Sequence, residues 1–251
     1  MTRRRFFADP AAFNFDHQTV GLTADEARHL RDVLRLKESD DAYVFDGLGN
    51  EFHCRVLSAG RDRAELEIVS TVQPSSKESP LNLTLALALL KGEKFDLVVQ
   101  KATELGVSTL IPLVTRYADI HIRERSDSEK RVSRWRRIAL EAAKQSGRAK
   151  LPKIAEPVSL SSLLESSRSQ LRLLFSERDG SSLDQALSRD SSNVEDLTAV
   201  VGSEGGWSSE ELSLAREKGW HIVTFGGRIL RSETAAIAIT ALLQHLFGDL
   251  K

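Results

Sequence analysis

Val200-Val201-Gly202-Ser203-Glu204-Gly205-Gly206-Trp207-Ser208 reads as a short apolar strand entering a glycine-bearing loop and then a helix. Gly226-Gly227-Arg228-Ile229-Leu230-Arg231-Ser232-Glu233-Thr234 repeats that arrangement. Such loops present backbone amides and carbonyls at the carboxyl ends of parallel strands, where a small polar ligand can be gripped without side chains. Two of them so close together suggest a ligand held between them. The Gly202-x-x-Gly205-Gly206 spacing is not the dinucleotide fingerprint, so spacing alone leaves the ligand open. In the second loop, Arg228, Arg231 and Glu233 flank Ile229-Leu230 and lead into an apolar helix. Charges beside such a helix need either partners or a ligand. A purely structural reading makes Ser232 the helix cap, with Glu233 suiting the dipole and pairing with an arginine.

Two helical stripes also carry charge. Lys91-Gly92-Glu93-Lys94 precedes a helix over Phe95–Leu105, whose Gln100, Lys101 and Glu104 are expected near the strand ends. Arg134, Arg137, Glu141, Lys144 and Arg148 share one helical stripe, opposite Val132, Trp135, Ala139 and Ala142. That stripe is either a solvated face or a set of phosphate contacts ending at Arg148, just past the Gly147 stop. Residues 116–150 hold 11 Lys/Arg against 5 Asp/Glu, a net of +6, whereas residues 1–73 hold 10 against 13, a net of -3. The whole chain is almost neutral at -1, so a basic block points to a local anionic partner.

The elements that must position these residues fall into two grammars. Residues 1–73 read as a small β-barrel. Arg3–Phe7, Asp41–Phe45, Glu51–Leu57 and Ala64–Val69 are its strands, and a helix over Ala24–Leu34 is capped by Thr23. Residues 74–80, with two prolines and three serines, form a linker. Residues 81–251 alternate strand and helix, which predicts an α/β domain with a mostly parallel sheet covered on both faces. Its strands are Leu81–Leu90, Val107–Val114, Leu171–Ser176, Thr198–Val201 and His221–Phe225, and its later helices Lys130–Ser146, Ser209–Lys218 and Glu233–Phe247. Ala235 to Leu243 is apolar around the whole circumference, which predicts burial in a core or in a subunit interface. Composition fits this scale of core, with 251 residues and 41% hydrophobic content. The single cysteine, Cys54, excludes an internal disulfide and reads as an inert strand residue. No metal-ligand cluster, signal peptide or spanning apolar run is visible, so a cytoplasmic protein is expected.

Several motifs stand in an order that covers nearly the whole chain. They are Arg4-Arg5-Phe6-Phe7, Val33-Leu34-Arg35-Leu36 and Asp46-Gly47-x-Gly49, then Lys91-Gly92-Glu93-Lys94 through Gln100-Lys101-Ala102-Thr103-Glu104-Leu105-Gly106-Val107. Glu141-Ala142-Ala143-Lys144-Gln145-Ser146-Gly147-Arg148 and the two glycine loops complete the set. This set resembles the RsmE family of bacterial 16S rRNA (uracil-N3)-methyltransferases, in the SPOUT superfamily. The resemblance implies an N-terminal PUA-like RNA-binding domain and a C-terminal trefoil-knot methyltransferase domain. It also implies a homodimer through the knot region, S-adenosylmethionine as cofactor without a metal, and 16S rRNA of the small subunit as substrate. Cofactor contacts are then expected from Val201, Gly202, Glu204, Gly205, Gly226, Ile229, Leu230, Thr234 and Ala235. Catalysis or uracil orientation falls to Arg231 and Glu233, with Arg148 and Glu104 as further candidates. RNA contacts are expected from Arg3, Arg4, Arg5, Arg35, Arg134, Arg137, Lys144 and Arg148. The chain departs from the family at Ser203 for proline, Phe225 for leucine, Ser232 for threonine and Trp207 for phenylalanine. A knotted 2′-O-ribose methyltransferase and a non-catalytic RNA-binding or ribosome-assembly factor are the alternatives.

Overall fold

The computed structural model describes residues 3–118, 120, 124–187 and 194–251. It forms two compact units, Met1–Glu78 with Leu140–Leu151, and Ser79–Ala139 with Pro152–Lys251.

The first unit is built on β1 (Arg5–Phe7), β2 (Phe13–Asn14), β3 (Thr19–Leu22), β4 (Asp41–Phe45), β5 (Glu51–Ala59) and β6 (Ala64–Val72). Their order is β1-β4-β5-β6-β3-β2, with β1 parallel to β4 and the other pairs antiparallel. Alternation sets the faces: Ala42 pairs with Cys54 and Val44 with Phe52, and all four join Phe6, Leu30 and Leu66 in one core. The sheet curls as a half-barrel rather than the closed barrel expected, because its two edge strands, β1 and the two-residue β2, do not pair. The predicted helix is also shorter. α1 (Ala24–Arg28) gives way to a π-helical turn over His29–Val33, and Thr23 makes no side-chain cap.

The linker expectation changes too, since Glu78 and residues 140–151 belong to this unit. α3 (Arg125–Ser146) brings its C-terminal end here, where the last carbonyls of a helix need donors. Arg5 supplies them, donating to the carbonyls of Ala143 (3.1 Å), Lys144 (3.1 Å) and Arg148 (2.9 Å). Its charge is met by Glu51 at 3.0 Å, a carboxylate with no exposed surface.

The second unit is a parallel sheet of β7 (Asn82–Ala88), β8 (Thr109–Val114), β9 (Lys153–Ile154), β10 (Val158–Ser159), β11 (Leu171–Ser176), β12 (Asp196–Val201) and β13 (His221–Thr224). The order is β10-β8-β7-β12-β11-β13, with β9 also on β8. β9, β10 and α4 (Leu160–Ser166) are too short to give a periodic signal in the sequence. Along β7, Leu83, Leu85 and Leu87 pack with α2 (Lys94–Glu104) and α7 (Ser232–Phe247), while Ala86 points to the face covered by α4 and α6 (Ser209–Glu217). Covering both faces explains why these strands are almost continuously apolar.

Candidate functional site

β12, β11 and β13 are adjacent and parallel, so their carboxyl ends deliver three loops side by side. Between these loops and the start of α7 lies a cavity with about 750 Å³ of free space, part of it open to solvent. Val201, Gly202, Gly226, Ile229, Leu230 and Ala235 line it, as the sequence led one to expect. Glu204, Gly205 and Thr234 do not. The loop Phe175-Ser176-Glu177 lines it as well and had no motif to reveal it, although an acidic residue directly after an apolar strand was the available signal. Ile229 is 72% exposed, an apolar side chain at the mouth that a bound ligand would shield.

The first loop is held by contacts on both sides. Trp207 Nε1 donates to the Phe175 carbonyl at 2.8 Å, tying it to the β11 loop. A Cβ at Gly202 would stand 3.0 Å from the Trp207 ring, so glycine lets that ring close over the strand end. Ser203 Oγ donates to the Tyr117 carbonyl at 3.2 Å, giving the loop a tether where the family usually has proline. At Gly205, expected as a cofactor contact, the neighbour is protein. A side chain there would meet Tyr117, whose Cβ would lie 2.7 Å away, before it reached a ligand. Ser208 and Glu211 then form a capping box that starts α6.

A charged group sits where loops after β7 and β12 meet the N-terminus of α7. Lys94 forms an ion pair with Glu204, whose carboxylate holds the ammonium above the usual lysine value. Glu233 and Arg231 are further charged neighbours of Lys94. Arg231 is exposed and occupies the cap position of α7, and Ser232 is the first helical residue rather than the cap. Glu233 is only 9% exposed, and its Oε2 has no hydrogen-bond partner among the described residues. The pairing of Glu233 with an arginine does not form among the salt bridges of the described residues.

Glu104 is placed elsewhere. α2 starts at the carboxyl end of β7 and runs back, so its last residue sits beside the amino end of β8, roughly 15 Å from Lys94 at helical rise. There Glu104 pairs with Lys101 at 2.8 Å. Arg148 belongs to the first unit, buried, with its guanidinium on Glu78 at 2.7 Å. Lys144 is engaged by Glu26 and Glu141, and Arg5 is buried as described. Arg134 is exposed, but its Nε donates to Asp96 at 2.8 Å, the same carboxylate that accepts from Trp135 Nε1. Arg3 pairs with Glu51 at 3.0 Å, whereas Arg4, Arg35 and Arg137 are exposed. Position 119 and residues 121–123 of the basic block lie outside the described residues.

Comparison with known proteins accounts for both units. An RNA methyltransferase domain model matches residues 77–244, and an RNA methyltransferase PUA domain model matches residues 22–69. The ribosomal RNA small subunit methyltransferase E of Synechocystis is 35% identical, over 91% of this chain and 73% of its own. That of Mesomycoplasma hyopneumoniae is 32% identical over 93% and 95%. The fold of the ribosomal RNA small subunit methyltransferase E from Neisseria gonorrhoeae, solved bound to S-adenosyl methionine, matches with a TM-score of 0.87 at 33% identity, covering both chains fully. A putative methyltransferase from Legionella pneumophila, in complex with the same cofactor, matches with a TM-score of 0.90 at 28% identity, again over both full chains. With both domains matched in order along one chain, this protein belongs to the ribosomal RNA small subunit methyltransferase E family.

Proposed function

We propose that this protein methylates N3 of a uridine in 16S rRNA, with S-adenosylmethionine as the methyl donor. The observation that carries the reading is the cavity between three strand-end loops, in a chain that matches a cofactor-bound relative from end to end. The residues present fit that cofactor. Gly227 lines the cavity, lies outside the left-handed region and has nothing within 4 Å of a built Cβ, so neither its backbone nor a protein neighbour demands glycine there. Loop amides and carbonyls at Val201, Gly202, Gly226 and Leu230 would hold the adenosyl part, and Phe175, Trp207 and Ile229 would wall it from water.

When bound, the cofactor supplies an electrophilic methyl on a sulfonium. The protein's task is to orient N3, take or balance its proton, and exclude water. Arg231, exposed at the head of α7, would meet a developing uracilate with a fixed cation. Arg4, Arg35 and Arg137 are the exposed cations proposed to contact phosphate.

The protein acts as a homodimer in this reading. α7 buries Ala236, Ile239, Thr240, Leu243 and Gln244, yet leaves Ile237, Ala238, Ala241 and Leu242 partly open and Leu246 exposed. That apolar strip suits a second copy. Incubating small ribosomal subunits with labelled S-adenosylmethionine and digesting the RNA to nucleosides tests the function. N3-methyluridine is expected; a 2′-O-methylated nucleoside, or none, would overturn it.

A further inference from the structure

Glu233 presents a problem that folding alone leaves unsolved. A buried oxygen without a donor costs about 1–3 kcal/mol, and native structures keep few of them. Oε2 of Glu233 is such an atom among the described residues. Two cations of the same charged group do not pair with it: Lys94 is paired with Glu204, and Arg231 stays exposed. Glu233 directly follows Ser232, which lines the cavity assigned to the methyl donor, and stands within electrostatic reach of Lys94. Its position in the first turn of α7 places a carboxylate where the helix dipole favours negative charge.

We infer that Glu233 is the proton acceptor for the uracil ring. This rests on the uridine-N3 reading above, in which the nucleophile carries an N–H that can donate to Oε2. Oε2 accepts the N3 proton, and the N3 electron pair forms the bond to the methyl carbon. The carbon–sulfur bond breaks with its electrons on sulfur, which leaves as a neutral thioether. Glu233 ends protonated and returns the proton to water after product release. Arg231 balances the charge on the ring carbonyls during transfer.

The test compares full-length wild type, Glu233→Gln and Glu233→Asp on small ribosomal subunits. Single-turnover rates are taken from mildly acidic to alkaline pH, alongside cofactor affinity, melting temperature and light scattering. Glu233→Gln is expected to lose about two to four orders of magnitude at neutral pH. Its rate should climb as pH rises and N3 ionises without help, with cofactor affinity and mass unchanged. Glu233→Asp should restore part of the rate. A loss of equal size at every pH would make Glu233 a structural residue and overturn the assignment. A fall in cofactor affinity would make it a cofactor ligand, and conversion to monomers would show that the second subunit supplies the missing donor; either overturns it. A wild type that forms no N3-methyluridine would instead overturn the underlying function.

Discussion

Gly205 and Arg5 look interchangeable with many loop glycines and surface arginines, yet each has a fixed neighbour. Gly205→Val must push Tyr117 or the loop aside, so cofactor affinity should fall because the loop moves. Calorimetry with S-adenosylmethionine checks this, and Tyr117→Gly, which removes the Cβ that a side chain at 205 meets, should recover part of the loss in the same background. Arg5→Ala strips the buried partner from Glu51 and the donor from the carbonyls of Ala143 and Lys144 in α3 and of Arg148 beyond it. About 3–5 kcal/mol of stability should be lost, as for breaking a buried ion pair, and urea denaturation measures it. Cys54 is a gentler case. Burial pushes its thiol up to about 12 from 9.0, so the folded state holds the proton more tightly than the unfolded chain. Its contribution is therefore complete below about 9 and is lost as pH rises towards about 12. The Cys54→Ala variant should show a shallower alkaline loss of stability than wild type.

Among the elements, α3 and α7 carry more than their sequence patterns state. The basic stripe of α3 is largely neutralised within each unit, by Asp96 for Arg134 and by Glu26 and Glu141 for Lys144. Arg137 is exposed, so Arg137→Ala should lower the salt dependence of RNA binding by about one counterion, and Arg134→Ala by less. Equal slopes for the two variants would show that the Asp96 pair opens on RNA. For α7, Ala238→Glu places a charge on the open apolar strip and should give monomers by light scattering. If the wild type is already monomeric at micromolar concentration, the strip serves something other than a second copy.

For the whole molecule, the first unit is not a simple N-terminal piece. It takes in Leu140–Leu151, served by Arg5, Glu51 and Glu78 from the other end of the chain. Deleting residues 1–73 should therefore abolish RNA methylation and also make the 140–151 segment sensitive to protease. Cofactor affinity should stay nearly intact, since every residue lining the cavity belongs to the second unit. Limited proteolysis followed by calorimetry on the same preparation separates these effects. No helix of the described residues is long and apolar enough to cross a membrane.

Local pattern was enough for β4 and β11, whose bounds follow directly from short apolar runs between polar turns. It also marked both glycine loops, because tight strand-to-helix turns leave their mark in adjacent residues. Pairing was not written locally. Nothing near Leu171 says that β11 lies between β12 and β13, and that placement alone brings Phe175, Ser176 and Glu177 to the cavity. Helical spacing put Glu104 on a polar face but could not say which end of α2 the cavity occupies; the parallel crossover decides that. Charge counting had the same limit. Arg5, Lys144 and Arg148 are cations in any sequence, and only folding shows that carboxylates and carbonyls from distant segments already hold them. Glu233 is the converse, a charge whose missing partner becomes visible only once burial removes water as one.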